Sequence, residues 1–286
     1  MNIKVENLNL NFGKKQALNN VSFEIDGRKI VGLLGRNGAG KTSLLSIIAS
    51  YREPSQGKIT INGEISFENP AIMSQVSLSY DQSYEYDSLS DLLRRAERFR
   101  PHFDKEYANY LVDIFKLDRN QPIRKFSKGM KSSVNAIIGL ANRAPITLLD
   151  EVYLGMDAHL REHFYQEILK EQERNPRLFI LSTHLVSEMD YLFDEVIMLD
   201  EGKILVHEEY DTLVSKGVTI TGEETVVDQF VKDKNQINTR QLGRTKAVMI
   251  YGELTDKEPQ RAIELGLDLT PASLHDLFIH LTKEGE

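Results

Sequence analysis

The stretch VGLLGRNGAGKTSLL, from Val31 to Leu45, constrains the fold more than any other part of the chain. The apolar run Ile30–Leu34 predicts a short buried strand, and residues 43–50 predict a helix. Between them residues 35–42 read G-R-N-G-A-G-K-T, with glycines, lysine and a hydroxyl residue at fixed spacing. A strand before and a helix after turn such a pattern from a plain turn into a phosphate-binding loop. Glycines let backbone N–H groups crowd around phosphate oxygens with no side chain in the way. The following helix points its positive end at the same anion. Lys41 is then placed to reach the outer phosphates, and Thr42 to offer an oxygen to Mg²⁺.

A loop of this kind needs an acidic partner to hold the metal. Residues 146–149 are apolar apart from Thr147 and predict a strand that delivers Asp150 and Glu151 at its carboxyl end. Ligands of parallel sheets sit at that edge. Asp150 is assigned to Mg²⁺, directly or through water, and Glu151 to polarising an attacking water. Ile197, Met198, Leu199, Asp200 and Glu201 repeat the same look. They continue into Gly202, Lys203 and Ile204, so this copy is expected to be a hairpin turn.

Along the rest of the chain, Ile3, Val5, Leu8 and Leu10, then Val21, Phe23 and Ile25, alternate as two strands of an edge sheet. Residues 57–63 read as another strand. From about 85 to 141 the spacing turns helical, with Leu89, Leu92, Leu93 and Ala96, then Tyr107, Tyr110, Leu111, Ile114 and Phe115. Residues 178–181 and 196–199 are two more strands, with a helix before the first. Alternating strand and helix predicts an α/β core with parallel strands. Residues 1–216 are expected to form the main domain, with a helical subdomain at 85–141. Residues 217–286 are expected to form a small α+β appendage. Its strands are placed at 218–220, 247–251 and 267–269, and its last helix near Pro271. The stripe Leu274, Leu277, Phe278 and Leu281 is read as the appendage's own core.

Composition removes several function classes. The net charge of −8 argues against a general nucleic-acid binder, which needs a basic face. No cysteine is present, so disulfides and thiolate metal sites are excluded, and an intracellular setting fits. The start, MNIKVENLNLNF, breaks the apolar core that a secretory signal needs. No run approaches the ~20 apolar residues of a membrane helix. A soluble chain is expected, with any membrane role reached through a partner.

With these residues placed, the chain resembles the ATP-binding subunit of an ATP-binding-cassette (ABC) transporter over about residues 1–215. The resemblance implies a phosphate-loop ATPase core with an antiparallel β subdomain and a helical subdomain. Phe12, in N-F-G, resembles the aromatic that stacks on adenine. Gln82, after Ser79, Tyr80 and Asp81, resembles the glutamine-loop ligand of metal and water. Phe126-Ser127-Lys128-Gly129-Met130 stands where the family signature L-S-G-G-Q belongs. Asp157, in L-G-M-D, matches an aspartate that crosses the dimer interface, and His184, in S-T-H-L, matches a histidine that contacts the γ-phosphate. The implied nucleotide contacts are Phe12, Gly35, Asn37, Gly38, Ala39, Gly40, Lys41, Thr42, Ser43, Ser127, Gly129 and Asp157. Thr42, Gln82 and Asp150 are the implied metal ligands, and Glu151, His184 and Gln82 the catalytic group.

Two departures stand out. Lys128 replaces a usual Gly and Met130 a usual Gln, while Val152-Tyr153 stands where Pro-Thr is common. The wording S-K-G-M-K and D-E-V-Y-L-G-M-D is similar to a bacterial exporter branch concerned with peptide or antibiotic export and self-protection. The resemblance therefore implies ATP and Mg²⁺, a homo- or heteromeric dimer with ATP sandwiched between subunits, and separate membrane-spanning permease subunits. It places the chain on the cytoplasmic face of the membrane, with no nucleic-acid partner. The alternative is a soluble ATPase of the same superfamily acting on ribosomes or DNA; the acidic balance and the lack of a long coiled-coil insertion or a second cassette weigh against it. His159-x-x-Glu162-His163 matches an inverted zinc-protease pattern, but no third ligand is apparent and a solvated helix is expected. Arg94, Arg95, Arg98 and Arg100 read as an exposed helix face, with a contact patch for a partner as the alternative.

Overall fold

The computed structural model describes residues 1–81 and 88–282. Strands β1 (Asn2–Phe12) and β2 (Lys15–Asp26) form an antiparallel hairpin whose alternation buries Ile3, Val5, Leu8, Leu10, Val21, Phe23 and Ile25. Strand β3 (Ile30–Leu34) leads through the glycine loop into α1 (Lys41–Ile48). Strands β4 (Gln56–Ile61) and β5 (Glu64–Ile65) complete a four-stranded antiparallel sheet in the order β2-β1-β4-β5. A short α2 (Pro70–Met73) precedes β6 (Val76–Ser79).

The expected helical region follows as α3 (Leu89–Phe99), α4 (Lys105–Ile114) and α5 (Lys128–Ala141). Each begins on a capping side chain. Ser88, Asp104 and Ser127 accept from the backbone N–H groups of Asp91, Tyr107 and Met130. Such caps satisfy donors that a helix start leaves without partners.

Strand β7 (Ile146–Asp150), α6 (Ala158–Arg174), β8 (Leu178–Thr183), α7 (Val186–Met189), β9 (Glu195–Asp200) and β10 (Lys203–Glu209) complete the central sheet. Its order is β10-β9-β3-β8-β7-β6, parallel throughout except for the edge strand β10. Both faces are covered, which is why its strands read as near-continuous apolar runs. Val31, Leu33, Leu148, Ile180 and Ile197 pack with α1 and the antiparallel sheet. Leu34, Leu149, Phe179, Leu181 and Met198 pack with the helices on the opposite face. Gly32 makes room on that second face: a Cβ there would lie 2.8 Å from the Phe193 ring.

After α8 (Tyr210–Ser215), a second antiparallel sheet forms from β11 (Gly217–Glu223), β12 (Gln236–Leu242), β13 (Thr245–Tyr251) and β14 (Asp268–Pro271). Helices α9 (Glu224–Val231), α10 (Glu258–Glu264) and α11 (Leu274–Leu281) accompany it. The order is β12-β13-β11-β14. Pro271 ends β14 just before α11, which Ser273 caps. One sequence expectation changes here. The stripe Leu274, Leu277 and Phe278 is not the appendage's own core, which is built from Ile220, Val227, Phe230, Val231, Val248, Ile250, Ala262 and Leu267. The stripe packs with Val186, Met189, Leu192 and Phe193 and fastens the appendage to the main body. A helical stripe says that a face is buried, not against what.

A buried charge cluster ties three elements under the central sheet. Arg177 donates to Glu171 at 2.9 Å, to the Leu140 carbonyl at 3.0 Å and to Thr147 Oγ1 at 3.1 Å. Arg143 reaches the other Glu171 oxygen at 2.9 Å. Glu171 is 0% exposed and Arg177 4%. Removing one partner of a buried pair strands the other charge in a low-dielectric interior. Glu171→Ala is expected to lower stability by about 3–5 kcal/mol, read from the urea unfolding midpoint. A loss under about 1 kcal/mol would show that the cluster is solvated in practice.

Candidate functional site

The glycine loop is shaped by what lies behind it. A Cβ on Gly35 would meet the Leu199 carbonyl oxygen at 2.5 Å, and one on Gly40 would meet the Ala17 carbonyl oxygen at 2.7 Å. Gly40 also has φ of 110°, a conformation that glycine adopts without strain. The β9–β10 turn is the prop. Glu201 and Gly202 have φ of 43° and 76°, the left-handed pair of a two-residue hairpin. Gly202 donates its N–H to the Ala39 carbonyl at 2.9 Å and accepts from Asn19 N–H at 2.8 Å. The second acidic copy is thus the hairpin expected from its sequence, and it buttresses the loop. Gly40, as N-cap of α1, offers no side-chain acceptor, so the first-turn N–H groups carry no side-chain cap. Asn37, Gly38 and Thr42 are exposed, while Ala39 is buried.

Lys41 is only 5% exposed. Its ammonium donates to the Gly35 carbonyl at 2.6 Å and the Arg36 carbonyl at 3.3 Å. Glu151 Oε1 lies 3.1 Å away, and the same oxygen is 3.0 Å from His184 Nδ1. One carboxylate oxygen therefore bridges the loop lysine and the histidine after β8. Glu151 holds this place with φ of 48°, a left-handed conformation that costs a non-glycine residue about 1–3 kcal/mol and clusters at functional sites. Strand pairing sets Asp150 beside Ser182. Ser182 Oγ donates to the Asp150 carboxylate and accepts from Glu151 N–H at 3.1 Å, so one hydroxyl orients both acidic residues.

Phe12, Lys15, Asn37, Gly38, Gly40, Lys41, Thr42, Ser43 and Glu151 line a cleft of about 300 Å³. A neighbouring lobe of about 280 Å³ runs from Phe12, Thr42 and Ser43 to Tyr51, Arg52 and Tyr80. The Phe12 ring is 44% exposed, and the Arg52 guanidinium lies 4.7 Å over it. A planar base stacking on Phe12 would share that ring with Arg52 or displace it. Thr42 and Asp150 supply one hydroxyl and one carboxylate, a donor set that fits Mg²⁺, which keeps water and phosphate as its other ligands. Gln82 lies outside the described residues.

Ser127, Gly129 and Asp157 do not line this cleft. Ser127 is exposed at the N-terminus of α5 and its Oγ accepts from Met130 N–H at 3.2 Å. Gly129 sits against the Gly155 carbonyl, 2.5 Å from where a Cβ would be. A Cβ on Gly155 would in turn lie 2.8 Å from Lys128 Cγ, so the lysine stem covers that glycine. Asp157 caps α6, accepting from Leu160 N–H at 2.9 Å. His159 and His163 approach each other at 3.1 Å, and no group of three or more metal-binding side chains occurs among the described residues.

The comparisons with known proteins meet this geometry directly. The ABC transporter domain family matches residues 18–153. An uncharacterized ABC transporter ATP-binding protein of Methanocaldococcus jannaschii, MJ1023, is 30% identical over 97% of this chain and 98% of its own length. The chain belongs to the ABC transporter ATP-binding family. It is an ABC-type ATPase. YtrB of Bacillus subtilis, an ABC transporter ATP-binding protein, is 26% identical over 98% of this chain and 96% of its own. The lantibiotic transport ATP-binding protein SrtF of Streptococcus pyogenes is 27% identical over 73% of this chain and 91% of its own. A solved ATP-binding subunit of an ABC transporter, 26% identical, superposes with a TM-score of 0.66 over 74% of this chain and 92% of that one. The cassette MJ0796, solved as a dimer bound to ADP and Pi, shares the fold at 20% identity, with a TM-score of 0.63 over 73% of this chain and 98% of that one.

Sequence reasoning missed Ser182, Tyr153 and Arg52. The signal for Ser182 was a polar residue near the end of an otherwise apolar strand. In this ATPase, Ser182→Ala leaves the Asp150 carboxylate and the Glu151 N–H without their shared partner. Turnover is expected to fall about tenfold at limiting Mg²⁺, with the loss shrinking as Mg²⁺ rises. An unchanged Mg²⁺ dependence of the ATPase rate would exclude a role for Ser182 in setting the acidic pair.

Proposed function

We propose that this chain binds and hydrolyses ATP to power a transporter whose membrane path is built by separate permease chains. Two cassettes, homo- or heteromeric, close on ATP at the cytoplasmic face of the membrane. The exported cargo is read as a peptide or antimicrobial compound, supported by the similarity to SrtF and by the signature wording. Among the described residues no helix is long and apolar enough to cross a membrane.

The observation that carries the reading is the shared Glu151 oxygen between Lys41 and His184. Lys41 is buried and cannot be left without negative charge. A β/γ-phosphate entering over the α1 N-terminus supplies that charge and displaces Glu151. The released carboxylate is then free to orient and deprotonate a water aimed at the γ-phosphorus. His184, already beside it, keeps the carboxylate and the γ-phosphate in one arrangement. Thr42, and Asp150 directly or through water, would hold Mg²⁺, which would supply positive charge to the phosphate oxygens. Ser127, Lys128 and Gly129 of a second subunit bring a helix start and a cation to the far side of the same phosphate. Hydrolysis removes the group that bridges the subunits, which provides the differential contact that opening requires.

Lys41→Ala is expected to weaken binding of a fluorescent ATP analogue at least about tenfold. Equal affinity would remove the loop from its assigned role. Glu151→Gln is expected to lower turnover by about 10²–10⁴-fold while keeping or raising ATP affinity and accumulating an ATP-bound dimer on gel filtration. Unchanged turnover would refute the base assignment. Capture of the tagged chain from solubilised membranes is expected to retain a polytopic membrane protein; recovery of ribosomes or DNA instead would favour the soluble branch.

A further inference from the structure

Tyr153 stands two residues after Glu151, where the family commonly has threonine, and nothing in the reading above uses it. Its side chain is 2% exposed. Its hydroxyl lies 2.8 Å from Thr183 Oγ1, the last residue of β8, and takes a longer hydrogen bond, 3.4 Å, from the backbone N–H of His184. Thr183 Oγ1 also accepts from Leu185 N–H at 2.9 Å, closing a tight turn around the histidine. The Tyr153 ring packs edge-on against Tyr165, and its centroid is 6.4 Å from that of His184. Burial pushes the phenol up to about 12, so it keeps its proton across the physiological range.

The same loop is held from its other side by the signature helix. Ser132 of α5 donates to the Leu154 carbonyl, and Gly129 abuts the Gly155 carbonyl. Downstream, Arg161 donates to the Met156 carbonyl at 2.9 Å and grips Glu188 of α7 at 2.7 and 3.0 Å. Residues 151–157 therefore join three parts: the acidic pair, the start of α5 and the histidine turn. Within this loop Glu151 meets the imidazole of His184, and the Tyr153 hydroxyl meets Thr183 Oγ1 and the His184 backbone N–H.

We infer that Tyr153 is a positioning residue for His184: its hydroxyl fixes the Thr183–His184 backbone and passes displacement of the signature helix to the histidine. The inference rests on the reading that His184 serves the γ-phosphate. Tyr153 touches no reacting atom. It sets where the imidazole sits relative to Glu151 and moves it when the loop beneath α5 moves. This gives the second subunit's engagement a route to the catalytic group of the first.

The test uses the full chain in single-turnover ATPase assays with enzyme in excess, so that slow variants remain readable. Tyr153→Phe removes one oxygen and keeps the ring. Its hydrolysis rate is expected to fall about tenfold, with ATP affinity unchanged within about twofold. In a His184→Ala background the same change is expected to cost less than about twofold, because the tyrosine acts through the histidine. An unaltered rate in Tyr153→Phe overturns the inference. An equal loss in both backgrounds overturns it too, since the tyrosine then acts by another path while the His184 role stands. A parallel loss of rate and affinity assigns Tyr153 a merely structural role. His184→Ala with full activity removes the underlying reading of the histidine, an outcome distinct from the others.

Discussion

A lysine buried against bare carbonyl oxygens organises this molecule. Lys41 has two backbone oxygens within reach, from Gly35 and Arg36, and neither carries a full charge. An ammonium that is 5% exposed needs an anion at its third face, or burial makes it costly. Glu151 meets that need here, and a phosphate would meet it better, having more charge and more acceptor oxygens. The cleft is therefore a competition between a resident carboxylate and an incoming anion for one cation. The winner decides whether Glu151 is a counter-ion or a free base. On the proposed reading, this one ion pair couples binding to catalytic competence.

The sheet makes this competition possible. Strands β3, β7 and β8 run parallel and adjacent or nearly so, and all end at the same edge. The loop after β3 carries the lysine, β7 delivers Asp150 and Glu151, and β8 delivers Ser182, Thr183 and His184. Parallel pairing brings these carboxyl ends together from segments far apart in sequence. The opposite edge carries the Arg143, Glu171 and Arg177 cluster, with Glu171 and Arg177 themselves buried, and its work is to hold α5, α6 and β7 against one another. Chemistry and fastening are kept at opposite ends of the strands.

How much of this is legible in the sequence follows from the range of each interaction. The glycine loop and the acidic pair are local patterns, and their strand and helix context is written beside them. The two buried faces of the parallel sheet are legible as apolar runs. Strand β6 is not, because the buried Ser77 and Ser79 interrupt the apolar run, and β12 is a polar edge strand with Leu242 outward. Ser182 leaves only an ambiguous signal, for a different reason. A serine in a strand reads as a dent in the core, and only the pairing of Asp150 with Ser182 gives it a carboxylate to orient. The α11 stripe announces a buried face, yet its partner, the segment around α7, lies some ninety residues away in the chain and leaves no mark in the stripe itself.

The departures from the family pattern gather at one junction. Lys128 lies where a glycine is common, and its stem fits because Gly155 opposite has no side chain and a φ of 89°. Tyr153 replaces a smaller residue and fills the space between the loop and the histidine turn. These changes fit one another, so they read as one altered design rather than separate losses. The charge argument points the same way. A lysine at the positive end of α5, with no acidic residue in the first turn, is unfavourable by itself. It becomes favourable when an anion is brought to that helix start from outside the subunit. In the proposed dimer, the signature segment would therefore depend more on the facing phosphate than a neutral one would, and closure would be tied more tightly to ATP.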